Sequence, residues 1–150
     1  RKNKYLFMKR VAFILFTISV LNSCNSNEPK PIKLNSDSCD NCKMTISNGK
    51  FGAELITKKG RNYKFDDVAC MIQFAKSNTV VPYDAFYVND YLKDNTLIPA
   101  ETAHFINGEK ISSPMRGNFA AFSSVNEQME FKKKLEAKTM TWSEVYDAYK

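Results

Sequence analysis

Apolar residues along this chain change their spacing in a set order, and the order recurs. From Phe51 to Thr57 and from Asn62 to Phe65 they form short strand-like groups, with Lys59-Gly60 as the turn between them. Past Phe65 the period lengthens. Val68, Met71, Ile72 and Ala75 fall on one face of a helix, with Asp67 placed as its N-cap. Beyond Pro82, Ala85 to Val88 reads as a further strand. The second round begins with strands at His104 to Ile106 and Asn118 to Phe122, the first of them followed by the turn signal Asn107-Gly108. Ser124-Val125-Asn126-Glu127 has the form of a capping box, opening a helix with apolar positions Val125, Met129, Phe131 and Leu135. Thr139 to Trp142 predicts a closing strand, with a short C-terminal helix after it.

The two rounds align residue for residue. Phe65-Asp66-Asp67-Val68 with Phe74 matches Phe122-Ser123-Ser124-Val125 with Phe131 at one offset. The expected fold is therefore α+β, with two packed ββαβ units, about 38–91 and 100–150, forming one compact domain. Neither unit is long enough to bury a good core alone, which is why they are expected to pack together. In the alignment Cys70 falls opposite Glu127, so the first turn of the first helix tolerates a charge in the sister copy. That leaves two expectations for Cys70: an accessible thiol acidified by the helix N-terminus, or a small buried cysteine.

The N-terminal region has a different character. Residues 1–23 hold Arg1, Lys2, Lys4, Lys9 and Arg10 and no acid, then an apolar run from Val11 to Leu21. A basic start, a short apolar stretch and small residues before a cut describe an export signal. The run is far shorter than the ~20 residues of a spanning helix. Leu21-Asn22-Ser23-Cys24 is similar to a bacterial lipobox, which predicts cleavage before Cys24 and lipidation of its thiol. Residues 24–37 then read as lipid anchor and flexible linker, since Asn, Ser, Pro29, Pro31 and Lys offer little apolar surface. Residues 38–150 remain for the folded domain. The expected location is exported, lipid-anchored to a membrane through Cys24 and facing the periplasm.

That division removes the basic character of the chain. Of 22 Lys and Arg, five precede Cys24, whereas all 16 acids follow it, leaving about +1 for the rest. No basic stripe remains to suggest nucleic acid as a partner. Lys132-Lys133-Lys134 is expected to be the solvated face of the second helix.

Chemistry concentrates in two sulfur-rich groups. One is Cys39-Asp40-Asn41-Cys42-Lys43-Met44, and the other ends in Cys70-Met71. Thiolate with thioether is the donor set that selects Cu(I), whereas zinc is held by Cys, His and carboxylates. Met115 lies outside any helical stripe, between Pro114 and Arg116, which favours a functional role. Met71 falls on an apolar helical stripe and His104, the single histidine, inside an apolar strand pattern; core or structural roles compete with ligation at both. Two other readings of Cys39-x-x-Cys42 stay open. An exported dithiol suits extracytoplasmic thiol–disulfide exchange, or a disulfide that staples a small binding lipoprotein. Asp66-Asp67 is explained by helix capping, and one histidine supports no nucleophilic triad, so the chain is expected not to be an enzyme.

The ordered set Cys39-x-x-Cys42-x-Met44, Tyr63-Lys64-Phe65-Asp66-Asp67 with Cys70-Met71, and Ser113-Pro114-Met115-Arg116-Gly117 leading to Ala121-Phe122 resembles the NosL family, from Ser38 to about Tyr146. Members of that family are lipoprotein copper chaperones built from paired ββαβ units. The resemblance implies Cu(I) as cargo, with Cys42, Met44 and Met115 as principal ligands and Cys39 next. Cys70, Met71 and His104 are further candidates. It also implies nitrous oxide reductase, or the membrane transporter complex that matures its copper centres, as partner. Where the family pattern usually carries Gly, between the second Cys and the Met and again after Pro-Met, this chain has Lys43 and Arg116.

Overall fold

The structure, a computed structural model, describes residues 28–149. The expected export signal and Cys24 lie outside the described residues. Two sheets carry the fold. In the first, β1 (Ala53–Thr57) lies between β2 (Asn62–Phe65) and β3 (Tyr83–Asn89), antiparallel to both, and β4 (Leu97–Pro99) extends the sheet beyond β3. The flanking strands β2 and β3 therefore run parallel, which requires a crossover, and helix α1 (Val68–Ser77) supplies it. The second sheet repeats the plan. Strand β5 (His104–Asn107) lies between β6 (Phe119–Phe122) and β7 (Lys138–Met140), with α2 (Val125–Lys134) as the crossover and α3 (Trp142–Asp147) after it. The α+β class and the two ββαβ units match the sequence expectation.

One core joins the units. Leu55, Phe65, Val68 and Ile72 of the first unit cluster with Phe105, Phe119, Ala121 and Val145 of the second. Alternate residues of the second sheet, Ile106, Ala120 and Phe122, face the other way and pack under Phe131 and Leu135 of α2. The second sheet is thus covered on one face by its own helix and on the other by the first unit, so β6 is buried at all four positions. Backbone also crosses the seam. Asp90 forms a parallel bridge with Ala121, the Tyr91 amide donates to the Ala121 carbonyl at 2.8 Å, and the Asp90 carboxylate accepts from the Ser123 amide at 3.1 Å.

Several local expectations change. The buried face of α2 is built from Gln128, Phe131 and Leu135, while Val125 and Met129 are 52% and 43% exposed. Gln128 holds a core position because its Nε2 donates to the Phe105 carbonyl at 2.7 Å, so burial leaves that donor satisfied. Ser124 does cap α2, accepting from the Asn126 amide, but the reciprocal capping box occurs at Thr141 and Glu144, opening α3. Trp142 therefore starts a helix instead of closing a strand. Strand β4 had no counterpart in the sequence pattern, because three residues are too few for a period to show.

The domain also begins earlier than expected. Residues 28–37 form a strap tied to the first sheet, not a loose linker. Ile32 is 1% exposed within the main core. The Lys30 amide donates to Glu54 Oε1 at 2.8 Å, Asn95 Nδ2 to the Ile32 carbonyl at 2.8 Å, and Lys64 Nζ to the Pro31 carbonyl at 3.0 Å. Average composition misses a segment held by one apolar anchor and its backbone hydrogen bonds. Ile32→Ala is expected to destabilise the domain by about 2–5 kcal/mol, read as a lower urea midpoint at unchanged slope.

Candidate metal centre

The sulfur site starts from a tight hairpin. Ser38 and Thr45 form an antiparallel bridge, and inside it the Cys39 amide donates to the Met44 carbonyl at 2.8 Å. The Lys43 amide donates back to the Cys39 carbonyl at 3.0 Å, closing the Cys-x-x-Cys turn. Asp40 fastens the hairpin to β2 in both directions. Its amide donates to the Lys64 carbonyl and its Oδ2 accepts from the Lys64 amide, both at 2.8 Å. The dithiol loop is thereby pinned beside the end of β2, where the chain enters α1.

At that junction Asp66 and Asp67 part company. Asp67 is the N-cap, its Oδ1 accepting from the Ala69 amide at 2.8 Å, as the sequence predicts. Its Oδ2 accepts from the Met115 amide at 2.9 Å, so one buried carboxylate joins the start of α1 to the Ser113–Asn118 loop of the second unit. Asp66 is no cap. It is 3% exposed and accepts from the Cys42 thiol at 3.5 Å. Sequence reasoning missed this carboxylate because capping accounted for both acids together; the departure of Asp66 from the serine in the sister copy, Ser123, was the available signal.

Cys39, Cys42, Asp66 and Cys70 converge, with one donor atom from each all within 4.8 Å of one another. All three thiols are free. A thiolate sits about 2.3 Å from a bound d10 ion, so donors on opposite sides of one stand roughly 4.6 Å apart, and this group has that span. Cys39 and Cys70 are fully buried and Cys42 is partly open. The Cys39 thiol is lowered to about 6, first by the hydrogen bond from Cys70, then, against the cost of burial, by backbone amides of Cys42, Asp66 and Asn41. Cys70 moves the other way, because it donates to Cys39 and is buried. Burial also raises Cys42, with the neighbouring Cys39 and Asp66 adding to it. The accessible, acidified Cys70 suggested by the sister copy is therefore replaced by a buried proton donor. The Cys39 hairpin covers this helical turn completely, whereas the sister position Glu127 is half-buried.

The remaining candidates separate clearly. Met44 and Met115 are 57% and 39% exposed, an uncommon state for so apolar a side chain. Met115 is held at the junction through its amide on Asp67, the N-cap of the helix whose first turn carries Cys70. Met71 is fully buried in the main core among Leu55, Phe65 and Ile72. His104 lies on the second sheet, lining a recess of about 600 Å³ with Glu101, Gln128, Trp142 and Glu144. Among the described residues it joins no metal-holding group. Cys24 lies outside the described residues.

Backbone conformation explains the glycine positions of the pattern. Lys43 and Arg116 have φ of 66° and 57°, the left-handed region. L-residues pay roughly 1–2 kcal/mol there, which glycine avoids. This chain keeps both loop geometries with side chains present. Gly117 is required for a different reason, namely space. A Cβ there would lie 2.8 Å from the Ala69 Cβ and 2.9 Å from Asp67 Oδ1. Gly117→Ala is expected to cost about 1–3 kcal/mol of stability and to speed hydrogen exchange at the Met115 amide, measured by NMR, as the loop is pushed off α1.

Comparisons with known proteins agree with this geometry. The fold is similar to the crystal structure of the copper chaperone NosL from Shewanella denitrificans, with a TM-score of 0.68, 22% sequence identity, and coverage of 79% of this chain and 95% of that one. A search of curated proteins returned no match. The NosL family model matches residues 31–150, most of the chain, and so this protein belongs to the NosL family.

Proposed function

We propose that this protein is a Cu(I) chaperone that delivers copper for assembly of the copper centres of nitrous oxide reductase. The observation that carries the reading is the convergence of three free thiols and a carboxylate within 4.8 Å, with exposed Met44 on the same hairpin and exposed Met115 tied by its amide to Asp67. Soft donors of this kind select monovalent copper. Cys42 and Cys39 would hold the ion from the protein side. Met44 and Met115, reachable from solvent, would exchange one at a time with an incoming acceptor. Asp66 keeps Cys42 oriented through its hydrogen bond. The role is binding and handover, not catalysis. Family membership and the likeness to a copper chaperone support it, and the recipient follows from the family resemblance. Location follows from the sequence alone: an export signal, then Cys24 as lipid anchor, with the domain in the periplasm. No helix among the described residues is long and apolar enough to cross a membrane.

Thiol–disulfide exchange fits the geometry less well. A dithiol nucleophile should be both exposed and acidified. Here the acidified sulfur, Cys39, is fully buried, and the partly exposed one, Cys42, has its pKa raised.

Reduced protein beginning at Asn25 is expected to bind about one Cu(I) in competition with a chelator, and Zn(II) far more weakly. Asp66→Asn should weaken copper binding by about 10–100-fold, as loss of an outer hydrogen-bond partner does. Cys42→Ser should weaken it more, because a hard hydroxyl replaces a soft donor. Unchanged affinity in both variants would sink the proposed centre. The pH dependence has a definite sign. Above about 6 Cys39 is already ionised, so copper capture displaces a proton chiefly from Cys42. Below that value Cys39 must lose one too. Affinity therefore falls with falling pH, and its slope steepens from about one proton to about two on crossing that value.

A further inference from the structure

We propose that one end of the first sheet, formed by the turn between β1 and β2 and the segment after α1, rests on an anionic lipid surface. Lys58, Lys59 and Arg61 are exposed on that turn. Beside them Val80 is 91% exposed, and the Lys58 amide donates to the Pro82 carbonyl at 3.0 Å, which locks the two segments together. Between them lies a recess of about 300 Å³ lined by Lys59, Arg61, Tyr63, Val80, Val81 and Pro82. The Arg61 guanidinium stacks 4.5 Å from the Tyr63 ring centre, presenting an amphipathic cation–aromatic pair. With Lys30, the basic groups outnumber Glu28 and Asp84, the nearest acids along these segments. Basic side chains around a small apolar projection are the chemistry that binds an anionic headgroup layer.

The position of the tether selects lipid as the occupant. The N-terminal strap runs along β2 in the same direction. Asn62 Nδ2 donates to the Glu28 carbonyl at 3.5 Å, and Lys64 Nζ to the Pro31 carbonyl at 3.0 Å. The strap therefore enters the domain at the Lys58–Arg61 turn. Cys24 precedes Glu28 by four residues, which span at most about 14 Å. This inference rests on the reading of Cys24 as a lipid anchor, which would hold the basic turn against the headgroups. The sulfur site lies at the opposite end of β2. From Arg61 to Asp66 a strand rises about 16 Å, so docking at the turn directs the copper site away from the bilayer. A tethered domain oriented in this way presents Met44 and Met115 outward to an acceptor.

A chain beginning at Asn25 retains the main core, Ile32 included, and every strand and helix of the domain. That chain is mixed with phosphatidylglycerol-containing vesicles and, separately, with pure phosphatidylcholine vesicles, then sedimented. Binding to the anionic vesicles alone is expected, weakening with added salt. Lys58→Ser and Lys59→Ser should each reduce partitioning about fivefold, and Val80→Asp should reduce it further. On bound vesicles, acetylation of Lys58 and Lys59 should slow while Lys133 and Lys134 on α2 stay reactive. Absence of binding, equal binding to both vesicle types, or unchanged partitioning in the lysine variants overturns the docking surface. An acidic protein as the true partner would give the first of these results. The processed, full-length protein in the same vesicles tests the anchor separately. Wild type and both lysine variants should stay bound at high salt through lipidated Cys24, and release there would refute the anchor while leaving the docking result standing.

Discussion

The Asp67 carboxylate makes the contact on which the rest of this structure turns. It is 1% exposed, and its two oxygens serve different units: one caps α1, the other holds the Met115 amide. A hydrogen bond to a charged group contributes about 1.5–3 kcal/mol, and a buried carboxylate robbed of a partner costs more than the bond itself. The second unit is therefore registered against the first at the point where the thiols gather. Gly117 completes the constraint by letting the loop backbone come against Ala69.

From that junction the division of labour between the repeats becomes clear. Both units use the same strand order and crossover helix, and the aligned positions Asp67 and Ser124 cap both helices. The positions that differ carry the chemistry. Asp66 replaces Ser123 and accepts from Cys42, whereas Ser123 donates its amide to Asp90 at the seam. Cys70 replaces Glu127 and faces Cys39. A duplicated scaffold has kept its caps and core in both copies. Only the copy lying between the dithiol hairpin and the Met115 loop has become a site.

The buried and exposed sulfurs suit a transfer protein. Cys39, acidified by the hydrogen bond from Cys70, lies away from solvent, so a readily ionised sulfur is kept in a protected position. Met44 and Met115 stand open to solvent on either side, held through left-handed backbone at the neighbouring Lys43 and Arg116. Left-handed backbone recurs in other turns, at Asn35, Asn95 and Glu136, but at Lys43 and Arg116 it adjoins a methionine. The core behind them is regular.

The amino-acid sequence by itself determined most of the elements, the duplicated plan and the soft-donor character of the candidate site. Hydrophobic period and capping chemistry act over a few residues, and the softness of sulfur does not depend on fold. The resemblance in motif order also pointed to Cys39, Cys42, Met44 and Met115 as candidate ligands. What only the tertiary structure decided were matters of distant proximity. Asp66 left the caps and became a partner of Cys42, because the hairpin at 38–45 packs against the end of β2. Cys70 became a buried donor instead of an exposed thiolate, because that hairpin covers its helical turn, whereas the sister position Glu127 stays half-buried. Ile32 drew a polar strap into the core, and His104 was placed on the second sheet, outside the thiol group. Local pattern records what each segment prefers alone, whereas burial and ligand convergence depend on which segments lie over one another.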